Sequence, residues 1–358
     1  MTNTKRLFLD IHALQTLPPS NVNRDDTGSP KTAQYGGVRR ARVSSQSWKR
    51  AIRLYFKEFG DTANVGVRTL DIVNYLADKI IALSPSKSRE EAMTLAEATF
   101  KSAGVSTKDQ RAKALFFLGD KQAEQLAQAA LAGESDKKAL QAILSMNPAI
   151  DIALFGRMVA DDPSLNEDAS AQVAHAISTH GIQSEFDFFT GVDDRQKEDN
   201  AGAGMLGTIE FNSSTLYRYA NVAVHEFIQQ IGDQEAAAKA LNLFIEAFVK
   251  SMPTGKANTF ANQTLPQAVV VTLRTDRPVN LVSAFEKPVR SGEGFAQASA
   301  HKLEEEFKKV ESFVQPPLAS MYVAPGLEEE LADLGQGEES LTKLQDEVYN
   351  QVMQVSFE

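Results

Sequence analysis

The stretch from Ser44 to Gly60 constrains the fold most, because it carries an unbroken helical period with two chemically different faces. Ser44 or Ser45 can cap the first turn, and Gly60 follows the last periodic residue. The apolar residues recur at the spacings of one helix face: Trp48, Ala51, Ile52, Tyr55, Phe56 and Phe59. We therefore expect an amphipathic helix that packs an aromatic face on a core.

The opposite face of this helix, and the residues before it, are basic. Between Thr27 and Lys57 there are eight Lys and Arg residues and no acid, although the whole chain has a net charge of −10. These residues are Lys31, Arg39, Arg40, Arg42, Lys49, Arg50, Arg53 and Lys57. A solvated helix face normally mixes both signs, and a helix N-terminus rich in Ser suits a phosphate. The pattern favours binding of nucleic acid or polyphosphate over a merely solvated face, through salt-sensitive backbone contacts.

The rest of the chain predicts an α+β fold with a large helical insertion. We place strands at 5–16, 184–190, 205–224 and 268–275, and helices at 233–250 and 297–312. Residues 61–182 have a helical pattern, and the polar, glycine-rich stretch 193–204 predicts a hairpin tip. The acidic stretch 326–358 predicts a solvated helical face.

Composition excludes several classes of site. The absence of Cys excludes disulfides, thiolate zinc sites and Cys nucleophiles. The chain has no P-loop, dinucleotide-binding or nucleophile-elbow motif, and its five histidines are scattered. We therefore expect no cofactor and no histidine- or cysteine-based metal site. The N-terminus lacks a signal-peptide pattern and no apolar run could span a bilayer, so we expect a cytoplasmic protein.

Three aspartate pairs, which begin at Asp25, Asp161 and Asp193, fit turn chemistry. The first pair adjoins the basic stretch, where Asp25 or Asp26 could assist metal-dependent cleavage of RNA. Turn chemistry and cleavage both remain open at this point.

Several motifs, in order along nearly the whole chain, together resemble one family. They are NRDD at 23–26, YGGVRRARVSSQSWKRAIR at 35–53, DIALFGRM at 151–158, AHAISTH at 174–180, FDFFTGVDD at 186–194, LGTIEFNSSTLYRYANV at 206–222 and AFEKPV at 284–289. In these motifs the chain resembles the CasC (Cse-type Cas-seven) family of RAMP proteins. Members of that family form the guide-RNA-binding backbone of the type I-E CRISPR Cascade complex.

The resemblance implies a hand-like architecture and a non-catalytic role. It implies an RRM/ferredoxin-like palm from residues 1–60 and 183–358, helical fingers at 61–182, and a β-hairpin thumb at about 190–215. Copies would oligomerise as a helical filament along a CRISPR RNA guide, bind its phosphates and kink it at regular intervals. The guide bases would then pair with target DNA in antiviral defence, as in other guided effectors. The implied partners are the guide, target DNA, further copies and other Cascade subunits, without a membrane.

The resemblance also implies individual RNA contacts. The guide-phosphate segment is matched by Ser44, Gln46, Lys49, Arg50 and Arg53, with Arg24 and Lys31 in the loop before it and Arg39, Arg40 and Arg42 leading into it. Arg157, Met158 and Phe189 match positions near the guide kinks. Val38 stands where the family can place a further Lys.

Two competing hypotheses come from other classes of protein. Related type III backbone subunits cleave target RNA with a loop aspartate, which would make this chain a metal-dependent endoribonuclease that uses Asp25 or Asp26. A generic anion-binding protein would not prefer long single strands over short polyphosphate.

Overall fold

The structure is a computed structural model that describes residues 2–3, 6–60, 64–159, 161–191 and 205–357. Within these ranges the α-helices are α1 (Ser45–Phe59), α2 (Ile72–Leu83), α3 (Arg89–Ser102), α4 (Asp120–Leu131), α5 (Lys137–Ser145), α6 (Ile150–Phe155), α7 (Val224–Ile231), α8 (Gln234–Lys250), α9 (Ala257–Phe260), α10 (Ala296–Val310) and α11 (Leu341–Gln354). The strands are β1 (Thr2–Asn3), β2 (Phe8–Ser20), β3 (Thr32–Tyr35), β4 (Val38–Val43), β5 (Gly66–Thr69), β6 (Thr107–Lys108), β7 (Arg111–Ala112), β8 (Phe116–Gly119), β9 (Ala171–Val173), β10 (Ala176–Ser178), β11 (Glu185–Gly191), β12 (Met205–Ala223), β13 (Ala268–Arg274), β14 (Ala319–Val323), β15 (Gln336–Gly337) and β16 (Val355–Ser356).

A ten-stranded sheet forms the centre of the protein. Its path runs β15-β14-β13-β2-β12-β10-β4-β3, and β9 and β11 pair with β12 off this path. The pairing of β2 with β12 extends from Ser20 opposite Asn212 to Phe8 opposite Ala223. The first eight residues of β2 are all buried, so both faces of the sheet are covered there.

The connectivity of the central strands places α1 against the sheet. The chain runs β2–α1–β10–β12–α8–β13, and the spatial order β13-β2-β12-β10 has antiparallel neighbours throughout. This βαββαβ connectivity is that of ferredoxin-like folds. Side chains of α1 and α8 share one core with those of β2, β12 and β13, so both helices cover the same face. The fold is α+β, as predicted.

Helix α1 forms where its sequence pattern predicts, although Phe59 at its end, expected on the core-facing side, is exposed. It begins after Ser44 and ends before Gly60, and Trp48, Ala51 and Ile52 are among its buried residues. Burial of such large apolar side chains stabilises the helix on the sheet by about 1.5–3 kcal/mol each. The basic side chains of α1 therefore remain on the outer side of the palm.

The region predicted as fingers, 61–182, contains a hydrophobic core of its own. It is formed mainly by side chains of α2, α3, α4 and α5, and it shares no residue with the core beneath α1. Helices at 72–83, 89–102, 120–131 and 137–145 agree with the predicted helical character. However, β5 and β8 pair within this region, and β9 and β10 join the central sheet. Short apolar runs such as Phe116–Leu118 fit a strand or a helix equally well, which explains the error.

The first predicted strand also differs from the observed one. The sequence pattern ended it at residue 16, whereas β2 continues through Pro18 and Pro19 to Ser20. The register with β12 shifts between Asn212 and Ser214, directly opposite these prolines. A bulge accommodates residues that cannot donate a ladder hydrogen bond, so the strand continues through both prolines.

A long hairpin projects from the sheet. β11 pairs with the first part of β12, from Glu185 opposite Phe211 to Gly191 opposite Met205. This pairing confirms strands near 184–190 and 205–224. The predicted tip at 193–204, and with it the middle of the predicted thumb at 190–215, lies outside the described residues. Within those ranges, no helix has the length and apolar character needed to cross a membrane.

Candidate nucleic-acid interface

The backbone N–H groups at the start of α1 are hydrogen-bonded to neighbouring side chains. The Ser44 Oγ accepts a hydrogen bond from the Ser47 N–H at 3.3 Å, and the Ser44 N–H donates to Asn23 Oδ1 at 2.9 Å. The Ser45 N–H donates to Nδ1 of His175 at 3.0 Å. Burial and nearby cations lower the pKa of His175, which favours the neutral ring that can accept this bond. The open anion-binding helix terminus expected from the sequence is therefore partly occupied.

Aromatic rings support two of the α1 cations. Lys49 Nζ lies 5.4 Å from the ring centroid of Phe155, and Arg53 Cζ lies 5.4 Å from that of Phe117. Burial lowers the pKa of both cationic groups. In each case the charged end itself lies over the ring, so cation–π attraction helps to hold the charge in place. Arg50, between them in sequence, is exposed.

A groove of about 790 Å³ runs between α1 and the fingers. One wall is cationic and comes from α1: Gln46, Lys49, Arg50 and Arg53. The rest of the lining includes Arg68, Leu115, Met158 and the stretch 166–169. Glu167 and Asp168 also line the groove, so a polyanion would be attracted toward the α1 cations and Arg68 and repelled from these two carboxylates.

Two smaller hollows continue the groove toward the hairpin. Arg50 also lines a hollow of about 310 Å³ together with Arg24. Arg24 in turn lines a third hollow, of about 290 Å³, with Lys256 and Phe186. We call the cations along this path the cationic track: Arg24, Lys49, Arg50, Arg53, Arg68 and Lys256.

The cations of the track form no close salt bridge within the described part of the chain. Among the described residues, none of the six lies within 4.0 Å of a carboxylate oxygen in a salt bridge. Some exposed lysines elsewhere are paired, for example Lys239 with Glu235 at 2.7 Å and Lys308 with Asp333 at 2.6 Å. The track therefore presents positive charge without close salt bridges, although the buried Asp151 interacts electrostatically with Arg53 and Asp25 lines the hollow of Arg24 and Arg50.

Arg40 and Arg157 require a correction. Their side chains are only 0% and 4% exposed, respectively. The Arg40 guanidinium donates to the carbonyl oxygens of Tyr35, Ser178 and Phe285. That of Arg157 donates to the carbonyl oxygens of Leu165, Phe117 and Leu144. Because these donors are used inside the protein, we reassign both residues from RNA contact to holding separate chain segments together.

Three further predicted cations lie apart from the three hollows. Arg39 is exposed on β4, and Arg42 is half-buried with its Nε donating to the Thr32 carbonyl at 3.2 Å. Lys31 precedes β3, the partner of β4. The structure places these side chains together on one edge hairpin but outside the groove, and their RNA contacts stay predictions.

Met158 and Phe189 have different surroundings. Met158 is 82% exposed and lines the groove, so it is not a core residue. Phe189 is half-buried on the hairpin, and its ring covers its cross-strand partner Gly207, where an added Cβ would lie 2.3 Å from Phe189 Cζ. Phe186 and Phe188 on the same strand are 68% and 65% exposed. The hairpin therefore carries exposed aromatic surface next to the track.

The aspartates of the competing hypothesis lie in a turn. Oδ1 of Asp25 accepts hydrogen bonds from the Thr27 N–H, the Thr27 hydroxyl and the Ser29 N–H. These bonds lower the pKa of Asp25, and Asp26 is exposed. The Asp193–Asp194 pair is outside the described residues. In the part of the chain that is described, no three His, Asp or Glu side chains gather as a metal site would require.

Sequence reasoning missed Arg68 and Lys256, which the fold brings to the track. Arg68 lies on β5 within a region predicted as helical. Lys256 has a φ of +49° and follows Gly255, where an added Cβ would lie 2.0 Å from the Val22 carbonyl oxygen. The close approach of this turn to residue 22 sets Lys256 beside Arg24. The Pro253–Thr254–Gly255 turn signal in the sequence could have marked the position, but not its neighbours.

The fold and the groove define an α+β protein with a cationic track at the junction of its palm and its helical insertion. The chain belongs to the CT1975-like protein family, whose model matches residues 9–347. It is 33% identical to a chain of a solved structure titled "CRISPR RNA-guided surveillance complex, pre-nicking", with a TM-score of 0.85 over 96% of this chain and 100% of that one. A chain of a second structure, titled "CRISPR RNA-guided surveillance complex", is 28% identical, with a TM-score of 0.75 over 96% of this chain and 99% of that one. No curated protein matches the chain. These matches confirm the resemblance to the Cascade backbone family.

Proposed function

We propose that the chain is a backbone subunit of a CRISPR surveillance complex that binds a guide RNA along the cationic track. Several copies would line up on one guide as a helical filament, kink it at regular intervals and leave its bases free to pair with target DNA. Other subunits of a Cascade complex would complete the assembly. The chain itself would carry out no catalysis and need no cofactor.

The observation that carries the proposal is the cationic wall of α1. Lys49, Arg50 and Arg53 face one groove without a salt-bridge partner among the described residues. Such contacts bind phosphates irrespective of sequence, which suits a subunit that must accept any guide. Few contacts per copy suffice, because neighbouring copies on one RNA raise each other's effective concentration.

Kinking would involve the apolar part of the groove lining and the hairpin. Met158 lines the groove, and on the hairpin strand β11 Phe186 lines the hollow of Arg24 and Lys256, with Phe188 and Phe189 further along the strand. Apolar side chains placed between bases unstack them, whereas cations hold the adjoining phosphates. This division supports a guide that is held at its backbone and bent at its bases.

The endoribonuclease alternative has less support. Oδ1 of Asp25 already accepts three hydrogen bonds within its own turn. That arrangement is turn chemistry, which uses the carboxylate to shape the loop. Incubating the protein and its guide with complementary RNA and Mg²⁺ or Mn²⁺ tests the alternative. Cleavage that disappears in a D25A/D26A variant would contradict our proposal.

The main test is fluorescence-anisotropy binding of a guide-length single-stranded RNA over a salt series. We expect the K49A/R50A/R53A variant to bind more weakly. Its slope of log K against log salt should be smaller by about 2, because each lost phosphate contact contributes about 0.7 for a single strand.

A matched control removes three cations elsewhere on the palm. K239A/K302A/K308A causes the same change in net charge, but these lysines are paired with acids outside the track. Its salt slope should equal that of the wild type. Equal slopes for all three proteins would mean that the α1 face is only solvated surface. Competition by short polyphosphate as effective as that by long RNA would favour a generic anion-binding protein.

A further inference from the structure

The side chain of Asn21 joins two segments that line the same hollow of the cationic track. Asn21 is 0% exposed and directly follows β2. Its Nδ2 donates to the Gly28 carbonyl oxygen at 2.9 Å and to the Glu210 carbonyl oxygen at 2.9 Å. Gly28 lies in the turn that carries Arg24, and Glu210 lies on the hairpin, where its cross-strand partner is Phe186. One buried amide group therefore connects the turn to the hairpin.

The turn that carries Arg24 is closed by backbone contacts across its base. We call residues 23–31 the Arg24 turn. Arg24 and Pro30 pair across it as an antiparallel β-bridge, and the Lys31 N–H donates to the Asn23 carbonyl oxygen at 2.8 Å. Because the turn is closed in this way, a hydrogen bond to its tip restrains the whole unit, including the backbone of Arg24.

The short stretch after β2 also attaches two further elements of the track. Asn23 Oδ1 accepts a hydrogen bond from the Ser44 N–H at 2.9 Å, which ties the Arg24 turn to the start of α1. Gly255 packs so closely on this stretch that an added Cβ would lie 2.0 Å from the Val22 carbonyl oxygen, and Lys256 follows it. The same stretch therefore contacts α1, the hairpin and the turn of Lys256.

Arg24 is the cation that the two smaller hollows share. It lines the hollow of about 310 Å³ together with Arg50, and the hollow of about 290 Å³ together with Lys256 and Phe186. Its side chain is exposed and is not packed in a core, so the backbone of the Arg24 turn determines where the charge lies. The placement of this turn relative to the hairpin depends in turn on the amide of Asn21.

From this arrangement we infer that Asn21 is a positioning residue for guide-RNA binding. It holds the Arg24 turn against the hairpin, so that a phosphate bound by Arg24 lies in the hollow that the turn and the hairpin line together. Asn21 is buried, so it contacts no RNA itself and acts only through the Arg24 turn. The inference rests on the proposed function, and it adds an uncharged residue and a physical link between the hairpin and the cationic track.

The first test compares RNA binding by N21A, R24A and the N21A/R24A double variant in the anisotropy assay over a salt series. We expect R24A to reduce the salt slope by about 0.7, the value of one phosphate contact on a single strand. N21A should reduce the slope in the same direction and weaken binding about threefold to tenfold, although it removes no charge. Once Arg24 is absent, the further loss of Asn21 should have no effect on RNA affinity, because the two residues act through one contact.

The matched control is Q234A. Gln234 Nε2 also donates to two carbonyl oxygens, those of Val352 at 2.9 Å and Val355 at 3.0 Å, but Gln234 lines none of the three hollows. Q234A should lower the urea midpoint, as N21A does, and keep the RNA affinity and salt slope of the wild type. N21L fills a similar volume without a donor and should match N21A in RNA binding, so the test stands even if the alanine variant does not fold.

A spectroscopic readout separates the placement of the turn from overall stability. The chain has no cysteine, so spin labels attached through D26C and D187C report only on the turn and the hairpin. Asp26 and Asp187 are exposed and line none of the three hollows. In the absence of RNA, we expect one well-defined dipolar coupling between the labels. Addition of N21A should broaden the distribution of distances, whereas addition of Q234A should leave it unchanged.

Three outcomes would overturn the inference while the proposed function stands. They are an N21A salt slope and affinity equal to those of the wild type, additive losses of affinity in N21A/R24A, and an unchanged label coupling in N21A. In each case K49A/R50A/R53A would still weaken RNA binding. If the wild type binds no RNA, the proposed function fails and this inference with it.

Discussion

His175 Nδ1 lies 3.0 Å from the backbone nitrogen of Ser45 and accepts its hydrogen bond. This contact ties the first turn of α1 to the segment that leads into β10. It also separates two roles within the serine-rich start of the helix. Ser44 is buried and caps the helix, whereas Gln46 is exposed and lines the groove.

We expect Ser44→Ala and Gln46→Ala to affect different properties. S44A removes the acceptor of the Ser47 N–H and should lower the free energy of unfolding by about 1 kcal/mol. Q46A should leave stability within about 0.5 kcal/mol of the wild type and weaken RNA binding by about threefold to tenfold, the value of one hydrogen bond. Urea denaturation and anisotropy measure the two effects. Loss of RNA affinity in S44A at full stability would instead identify Ser44 as a direct RNA contact.

Replacement of Arg157 should destabilise the protein far more than replacement of Arg50. R157M leaves the carbonyl oxygens of Leu165, Phe117 and Leu144 without this donor, so we expect a loss on the order of 3 kcal/mol. R50M removes an exposed cation and should change stability by less than about 0.5 kcal/mol. Thermal or urea unfolding provides the comparison. Similar stabilities for the two variants would mean that Arg157 does not hold these segments together.

Gly156 and Gly133 form a matched pair for the close packing beside Met158. Their φ angles are +76° and +75°, so both alanine variants incur the same left-handed strain, about 1–2 kcal/mol. An added Cβ at Gly156 would lie 2.9 Å from the Glu167 carbonyl oxygen, whereas nothing lies within 4 Å at Gly133. G156A should therefore lose about 1–3 kcal/mol more than G133A in urea unfolding. Equal losses would show that the backbone can move away at Gly156.

His12 should make the protein sensitive to acid. Burial, with a contribution from Arg274, lowers its pKa to about 3 from the ordinary value of 6.5. The unfolded ring therefore binds a proton between these two pH values and the folded ring does not. The free energy of unfolding should fall as the pH decreases from about 6.5 toward 3, by up to about 1.4 kcal/mol per pH unit from this residue.

The His12→Gln variant tests this pH dependence by urea unfolding at several pH values. Its stability should fall less steeply than that of the wild type across the same range. Burial raises the pKa of nearby Asp10 to about 7, which acts in the opposite direction, but both proteins retain Asp10. The difference between the two proteins therefore reports on His12. Identical slopes would contradict a buried neutral ring.

Local patterns predicted the elements that depend on neighbours in sequence. The period of Trp48, Ala51 and Ile52 and the cap at Ser44 give α1 as observed, because a helix satisfies both within a few residues. The alternation after residue 6 gives β2. Its extension through Pro18 and Pro19 depends on a bulge in its pairing with β12, which lies about two hundred positions away in sequence. The sequence around the two prolines carries no information about this pairing with β12.

The residues of the candidate site also fall into those that local sequence predicts and those that depend on distant segments. The cations of α1 could be predicted from sequence, since they share one helix face. The burial of Arg40 and Arg157 could not, because it depends on carbonyl oxygens from distant segments such as Phe285 and Leu144. Arg68 and Lys256 reach the track only through the pairing of β5 with β8 and the close turn at Gly255.

The groove lies at the boundary between two hydrophobic cores that have no residue in common. The width of the groove therefore depends on how the two regions built on these cores pack against each other, and neither core determines it alone. A substitution that repacks one interior can preserve that interior and still misalign the two walls. Sequence variants that fold well but hold RNA poorly should therefore include changes in the cores, far from any charged side chain.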